Sequence, residues 1–432
     1  MRILLTANAS YVPPRGGATR SNLVWLEILA SGGHACRVVA PALASSIAGR
    51  QAQEEEIEPE WRRASASAGI DCLTLGGVAI YAVAERSRLV AVLRDQIREF
   101  QPDWVLVSSE DVGHVLLGEA ARSASGRIVY LAHTPQFFPF GPASWNPDPE
   151  ATEIVRRAAG VIAIGHHTAA YVREHTGREA AVMHPPIYGG GPFPNLARFD
   201  RGLVTMINPC AVKGISIFLA LADRLPQHAF GALPGWGTTT EDRNELERRP
   251  NISLLPNVRN IERFLEQTRV LLMPSLWYEG FGLSVMEAML RGIPAVASDS
   301  GGLAEAKRGT GSIVPVAGIE RFEAVFDEHG MPKPVLPEID IGIWAAALEK
   351  LLTDRKHYEI ESERSRQAAL GFVRSIRPER IVEFLTALEP AGRSAEPPGG
   401  EPPRAEALSP EKRALLLKRL RAKPTSAGHD PS

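Results

Sequence analysis

Twice along the chain, short runs of Val, Ile and Leu alternate with stretches of helical length, and that repetition admits few folds. In the first half Ile3–Ala7, Arg37–Ala40, Trp104–Ser108, Ile128–Ala132 and Val161–Ile164 read as strands, with helices predicted over Ser21–Ala30, Arg86–Phe100 and Val112–Arg122. The second half repeats the pattern with strands at Leu203–Ile207, Ala229–Gly231, Ile252–Leu254, Val270–Met273, Ala295–Ala297 and Ser312–Val314. Helices fall between them, among them Ile215–Arg224 and Leu283–Arg291. Strands apolar at consecutive positions have both faces covered, which predicts α/β layers around parallel sheets. Between the halves, Pro185-Pro186 and Gly189-Gly190-Gly191-Pro192 can be neither helix nor strand. At 432 residues the chain has room for two such domains. No Gly-x-Gly-x-x-Gly follows the first strand, which counts against a dinucleotide dehydrogenase.

The run from Pro274 to Ala288, Pro-Ser-Leu-Trp-Tyr-Glu-Gly-Phe-Gly-Leu-Ser-Val-Met-Glu-Ala, carries the most chemistry. Pro274 ends a strand, Gly280 and Gly282 make a bare turn, and a helix is predicted from Leu283. A helix start beside a turn without side chains offers free N–H groups and a positive dipole end, a site for phosphate. Glu279 and Glu287 flank it. Carboxylates are poor partners for the anion itself but good ones for hydroxyls on either side of it. A nucleotide sugar has that layout, with pyrophosphate between ribose and hexose. The plain alternative is a strand, a turn and a helix with solvated glutamates; both glycines and the downstream Ser-Asp-Ser-Gly-Gly-Leu-Ala-Glu (298–305) favour the site.

This segment resembles the signature of retaining glycosyltransferases of the GT-B fold, in particular glycosyltransferase family 4 (group 1), and the likeness covers about residues 1–388. The resemblance implies two Rossmann-like, doubly wound domains facing each other across a cleft. An acceptor domain would span residues 1–188 and a nucleotide-sugar domain 196–355, with terminal helices over 356–388 crossing back to the first. It also implies that Glu279 holds the transferred sugar, Glu287 the ribose diol, and Gly280, Phe281 and Gly282 the sugar and phosphate. Gly16 and Gly17, after the first strand, would lie against the donor diphosphate, with Arg15 and Arg20 as candidate acceptor or phosphate contacts. Lys213, set at a helix start where it opposes the dipole, would neutralise the diphosphate. An arginine usually stands five positions before that lysine; here the position is Asn208, in a donor-binding place but uncharged. His133, at the end of a strand, would sit beside the donor sugar, so that Lys213, Glu279 and His133 form the expected catalytic set. The loop with Phe137, Phe138, Phe140 and Trp145 lines an acceptor pocket or covers the core. Glu305 bounds the nucleotide pocket or favours a helix start, and His166-His167 cap a helix.

Transfer breaks the bond from anomeric carbon to phosphate oxygen. Resemblance implies front-face attack and retention. No Asp-x-Asp stands out, so no metal and no cofactor beyond the nucleotide-diphosphate sugar are expected. A net charge near -2 gives no overall attraction to nucleic acid. Three scattered cysteines give no disulfide or zinc pattern and point to a cytoplasmic setting. The first apolar run is too short for a signal peptide, and no stretch reaches the ~20 apolar residues of a membrane span.

Residues 45–66 read as an insertion or flap. From Pro390 a Pro/Gly-rich stretch predicts a disordered linker, followed by a basic amphipathic helix over 408–423. Its Leu-Ser-Pro-Glu-Lys-Arg-Ala-Leu-Leu resembles the short helix preceding condensation domains in nonribosomal peptide synthetases. That suggests decoration of a peptide or lipopeptide, while contact with a synthetase, a partner groove or a membrane surface stays open. The acceptor is thus a small molecule, a peptide or a lipid. Two alternatives remain: a transferase of envelope polysaccharide or glycolipid assembly, and a non-catalytic nucleotide-sugar-binding scaffold.

Overall fold

The computed structural model describes residues 1–391 apart from Pro13, Arg15, 43–61, Ala68 and 257–259. The readings placed on Arg15, on the linker and on the 408–423 helix lie outside the described residues, as does most of the 45–66 segment. Two sheets organise the rest. The first contains β1 (Arg2–Thr6), β2 (Ala35–Pro41), β3 (Arg62–Ser67), β4 (Ile70–Leu75), β5 (Val78–Val83), β6 (Trp104–Ser108), β7 (Ile128–Ala132), β8 (Gly160–Ala163) and β9 (Ala181–Val182). Their order is β3-β4-β5-β2-β1-β6-β7-β8-β9. The second contains β10 (Leu203–Ile207), β11 (Phe230–Leu233), β12 (Ile252–Leu254), β13 (Thr268–Met273), β14 (Ala295–Ser298) and β15 (Ser312–Val314), in the order β12-β11-β10-β13-β14-β15.

The second sheet is parallel throughout, and its order is that of a Rossmann fold. The first shows the same winding from β2 through β9, with Ile3 paired to Cys36 on one side and Trp104 on the other. Chain reversal puts a crevice at the carboxyl ends of β1 and β6 in one sheet, and of β10 and β13 in the other. Ligands of doubly wound folds bind at such switch points.

One edge departs from the all-parallel expectation. β4 runs antiparallel to β5, and β3 antiparallel to β4. Leu75 and Val78 face each other around Gly76-Gly77, both at positive φ, so a two-residue turn closes the hairpin. Residues 62–66, read as part of a flap, are instead an edge strand. A second unforeseen hairpin, β16 (Phe322–Phe326) with β17 (Pro332–Pro334), leaves the second domain after β15. Among the described residues no helix is long and apolar enough to cross a membrane.

The helices pack on both faces because their apolar residues recur at helical spacing. Trp25, Leu26 and Leu29 of Gly17–Ser31 are buried against the first sheet, and Trp344, Leu348 and Leu351 of Ile341–Thr353 against the second. After the helix Arg355–Ser375 the chain reaches the helix Arg380–Ala387, which lies on the first domain. Trp104 Nε1 donates to the Leu385 carbonyl at 2.9 Å, and Gly160 packs so closely under Phe384 that a Cβ would lie 2.8 Å from its ring. Leu385 is 1% exposed, so Leu385→Ala should cost about 2–5 kcal/mol. Urea denaturation followed by tryptophan fluorescence measures it, and an unchanged midpoint would contradict this docking.

Candidate active site

The Glu279–Gly282 turn is held from three directions. Gly302 N donates to the Glu279 carbonyl at 2.7 Å, and Ser300 Oγ to the Trp277 carbonyl at 2.7 Å. Gly301 and Gly302 leave no room, since a Cβ on either would meet Glu279 or Gly280 backbone oxygen at 2.2 or 2.6 Å. From the first domain, Thr168 Oγ1 donates to the Gly280 carbonyl at 3.1 Å. A Cβ on Gly280 would stand 2.2 Å from the carbonyl oxygen of His133. Phe281 is buried between the domains, stacked on Phe372 and edge-on to His184. Its side chain is therefore a packing group.

Lys213 ends a short turn after β10, and Gly214 follows at φ +83°. A Cβ on Gly214 would lie 2.0 Å from the Pro274 carbonyl oxygen, so this turn and the end of β13 press together. The result is an ion pair. Lys213 Nζ donates to Glu279 Oε1 at 2.5 Å, with both side chains 12% exposed. Ser275 Oγ donates to the same oxygen at 2.6 Å, and the ammonium lies 5.3 Å from the Trp277 ring centroid.

Glu287 sits one turn into the helix Leu283–Leu290 and is nearly buried. Its Oε1 accepts from Arg20 of the opposite domain at 3.0 Å. The helix Gly17–Ser31 begins at Gly17, four residues earlier than expected, so Arg20 belongs to its first turn. Gly17 touches Leu283 so closely that a Cβ would be 2.7 Å from Leu283 Cδ1. The two helix starts, one behind Gly16-Gly17 and one behind Gly282, thus face each other across the cleft.

Asn208 takes a left-handed backbone, φ +54°, which asparagine tolerates better than most residues. Its Oδ1 accepts from Gly237 N at 2.9 Å, and its Nδ2 is buried without a partner among the described residues. The side chain ties the β11 loop to the β10 turn and leaves one neutral donor unused.

His133 is 1% exposed. Asn22 Nδ2 donates to Ser108 Oγ, which turns Asn22 Oδ1 toward His133 Nε2 at 2.9 Å. The proton therefore sits on Nε2, and the buried Nδ1 has no partner among the described residues. Burial pushes the imidazole down to about 3, so it is neutral near pH 7 and no proton shuttle there. Trp25 stacks beside it, with ring centroids 6.0 Å apart.

Two residues gain meaning only from the structure. Glu305 reaches across to the first domain, where it accepts from His166 N and His167 N at 3.0 and 3.1 Å and pairs with His184 Nε2 at 2.8 Å. These bonds hold its carboxyl below the usual range despite burial. Its place is the cap of the helix His166–Thr176. Glu110 follows β6 at the first switch point, half-buried, with Oε2 enclosed and without a partner among the described residues. Burial pushes it up to about 7. Nothing in the Ser-Ser-Glu-Asp run marked it beforehand, because only the topology brings the β6 end beside the β1 and β7 ends. Among the aromatics of the 133–142 loop and beyond, Phe138 and Phe140 are core. Phe137 and Trp145 pack edge-on to Trp277 of the second domain at 6.0 and 5.1 Å.

No group of three or more His, Cys, Asp or Glu suited to a metal occurs among the described residues. Residues 202–354 match the family model described as Glycosyl transferases group 1. No curated protein matches the chain. Among solved structures it resembles sucrose-phosphate synthase from Thermosynechococcus elongatus at TM-score 0.63 and 14% identity, over 89% of this chain and 98% of that one. It also resembles Anabaena HepE in complex with UDP and glucose, at TM-score 0.59 and 16% identity over 90% and 100%. A third similar structure, trehalose-6-phosphate from E. coli bound with UDP-2-fluoro glucose, superposes at TM-score 0.59 and 14% identity over 90% and 100%. Residues 202–354 are thus similar to the group 1 glycosyltransferases, and the chain has the GT-B fold.

Proposed function

We propose that the protein transfers a glycosyl group from a nucleotide-diphosphate sugar to an acceptor hydroxyl, with retention. The observation that carries this reading is the Lys213–Glu279 pair beside the bare Gly280–Gly282 turn, at the carboxyl edge of β10 and β13. UDP and UDP-sugar complexes of proteins with this fold support the donor class. The bond from anomeric carbon to phosphate oxygen breaks, and its electron pair leaves with the diphosphate. The acceptor oxygen bonds to the same carbon and its proton passes to the departing phosphate oxygen. Lys213 and the amides at the start of the 283–290 helix stabilise the growing charge. Glu279 holds sugar hydroxyls and Glu287 the ribose diol. The neutral Asn22–His133 pair borders the sugar and does not act as a base.

In this reading no metal is needed, since cations and amides carry the phosphate charge. The acceptor lies in the first domain, where Glu110, once ionised, accepts from a hydroxyl of the acceptor other than the attacking one. A peptide or lipopeptide acceptor is proposed from the 408–423 sequence, and lipid-linked against peptide acceptors in a transfer assay decide between that and envelope glycan assembly.

Purified protein should slowly hydrolyse one member of a UDP-, GDP- and dTDP-sugar panel, and EDTA should leave the rate unchanged. Lys213→Ala should lower kcat by roughly 10²–10³-fold, and Glu287→Ala should mainly raise the donor KM. Binding without cleavage by any donor would favour the scaffold alternative, and no binding would remove the site assignment. With acceptor present, the rate should rise with pH through about 7, where Glu110 loses its proton, and Glu110→Gln should flatten that limb. A limb unchanged in this variant would reassign it to another group.

A further inference from the structure

We propose that Arg20 is the second cation of the donor diphosphate, supplied by the opposite domain in place of the arginine that position 208 lacks. This deepens the transferase reading and rests on it.

Three observations lead there. First, the second domain brings one cation, Lys213, into contact with the donor turn among the described residues, and that cation is already matched by Glu279. A nucleoside diphosphate brings more charge than this neutral pair can balance. Second, Asn208 cannot make up the difference. It is uncharged, its Oδ1 is committed to Gly237 N, and Gly235 packs against it so tightly that a Cβ would be 2.6 Å from Oδ1. Its spare Nδ2 adds one neutral hydrogen bond.

Third, Arg20 stands where helix stability disfavours it. It occupies the first turn of Gly17–Ser31, beside a helix start with no acidic residue to offset the dipole. Its side chain crosses to Glu287 and keeps 39% exposure, whereas Glu287 keeps 6%. The guanidinium therefore lies at the cleft surface with donors to spare after the single bond to Oε1. The contact between Gly17 and Leu283 places this first turn against the helix start assigned to phosphate.

In the structure both glutamates are held by cations. Donor binding exchanges the partners: ribose hydroxyls replace Arg20 on Glu287, and Arg20 moves to the diphosphate, with no proton transferred. Leaving-group stabilisation then requires the two domains to be closed on each other.

The test compares binding of nucleoside diphosphate and monophosphate, UDP with UMP or the guanosine or thymidine pair chosen by the hydrolysis panel, by calorimetry. Arg20→Gln should weaken the diphosphate roughly tenfold or more while moving the monophosphate much less, and Arg20→Lys should recover part of the loss. The same loss should persist in a Glu287→Gln background. If the diphosphate effect disappears there, or Arg20→Gln binds both nucleotides as the unmodified protein does, Arg20 is only the partner of Glu287 and the proposal fails. If the unmodified protein binds no nucleoside diphosphate, the donor-site reading itself falls, an outcome distinct from the first two. Thermal unfolding of each variant guards against loss of fold, and Arg20→Lys carries the comparison if Arg20→Gln does not fold.

Discussion

Everything at the cleft depends on how closely the Glu279–Gly282 turn approaches the first domain. A single Cβ on Gly280 would drive into the His133 carbonyl oxygen at 2.2 Å. Glycine is required by proximity here, since only hydrogen leaves space for a neighbouring backbone. The approach is fixed elsewhere too, by Thr168 on the Gly280 carbonyl and by Glu305 on the start of the His166–Thr176 helix. The residues that hold the turn thus belong to both domains, and so does the pair Arg20–Glu287.

Charge follows from that geometry. Each glutamate of the Glu-x7-Glu segment is paired, Glu279 with a lysine of its own domain and Glu287 with an arginine of the other. A buried carboxylate left alone would be costly, and each of these pairs offsets that cost. The first-domain side has a different character. Burial pushes His133 toward its neutral form, and burial pushes Glu110 up to about 7, its Oε2 without a partner among the described residues. One half of the cleft thus carries two matched ion pairs, and the other holds one carboxylate that burial pushes up to about 7.

Much of this was legible in the sequence, where local chemistry decides. Continuous apolar runs gave away parallel strands such as β7 and β13, because burial on both faces leaves no alternation. The strand–turn–helix unit that carries Glu279, Gly280, Gly282 and Glu287 was legible from its apolar run, its proline and its glycines. The β4–β5 hairpin was missed although Gly76-Gly77 marks its turn, because Asp71 and Cys72 interrupt the apolar pattern on an edge. The pairing of Arg20 with Glu287, 267 positions apart, and the cap by Glu305 could not be read at all. Both are set by how the domains meet, and no local period records that. Asn208 was recognised as a departure, but its left-handed backbone and its bond to Gly237 come only from the packing of two loops.

The most direct measurement is a crystal structure of the protein with the nucleoside diphosphate it binds most tightly. The account predicts phosphate oxygens at Lys213 Nζ and at the amides starting the Leu283–Leu290 helix, the ribose diol on Glu287, and Arg20 turned from Glu287 to the diphosphate. A nucleotide bound away from this turn, with the Lys213–Glu279 and Arg20–Glu287 pairs undisturbed, would contradict it.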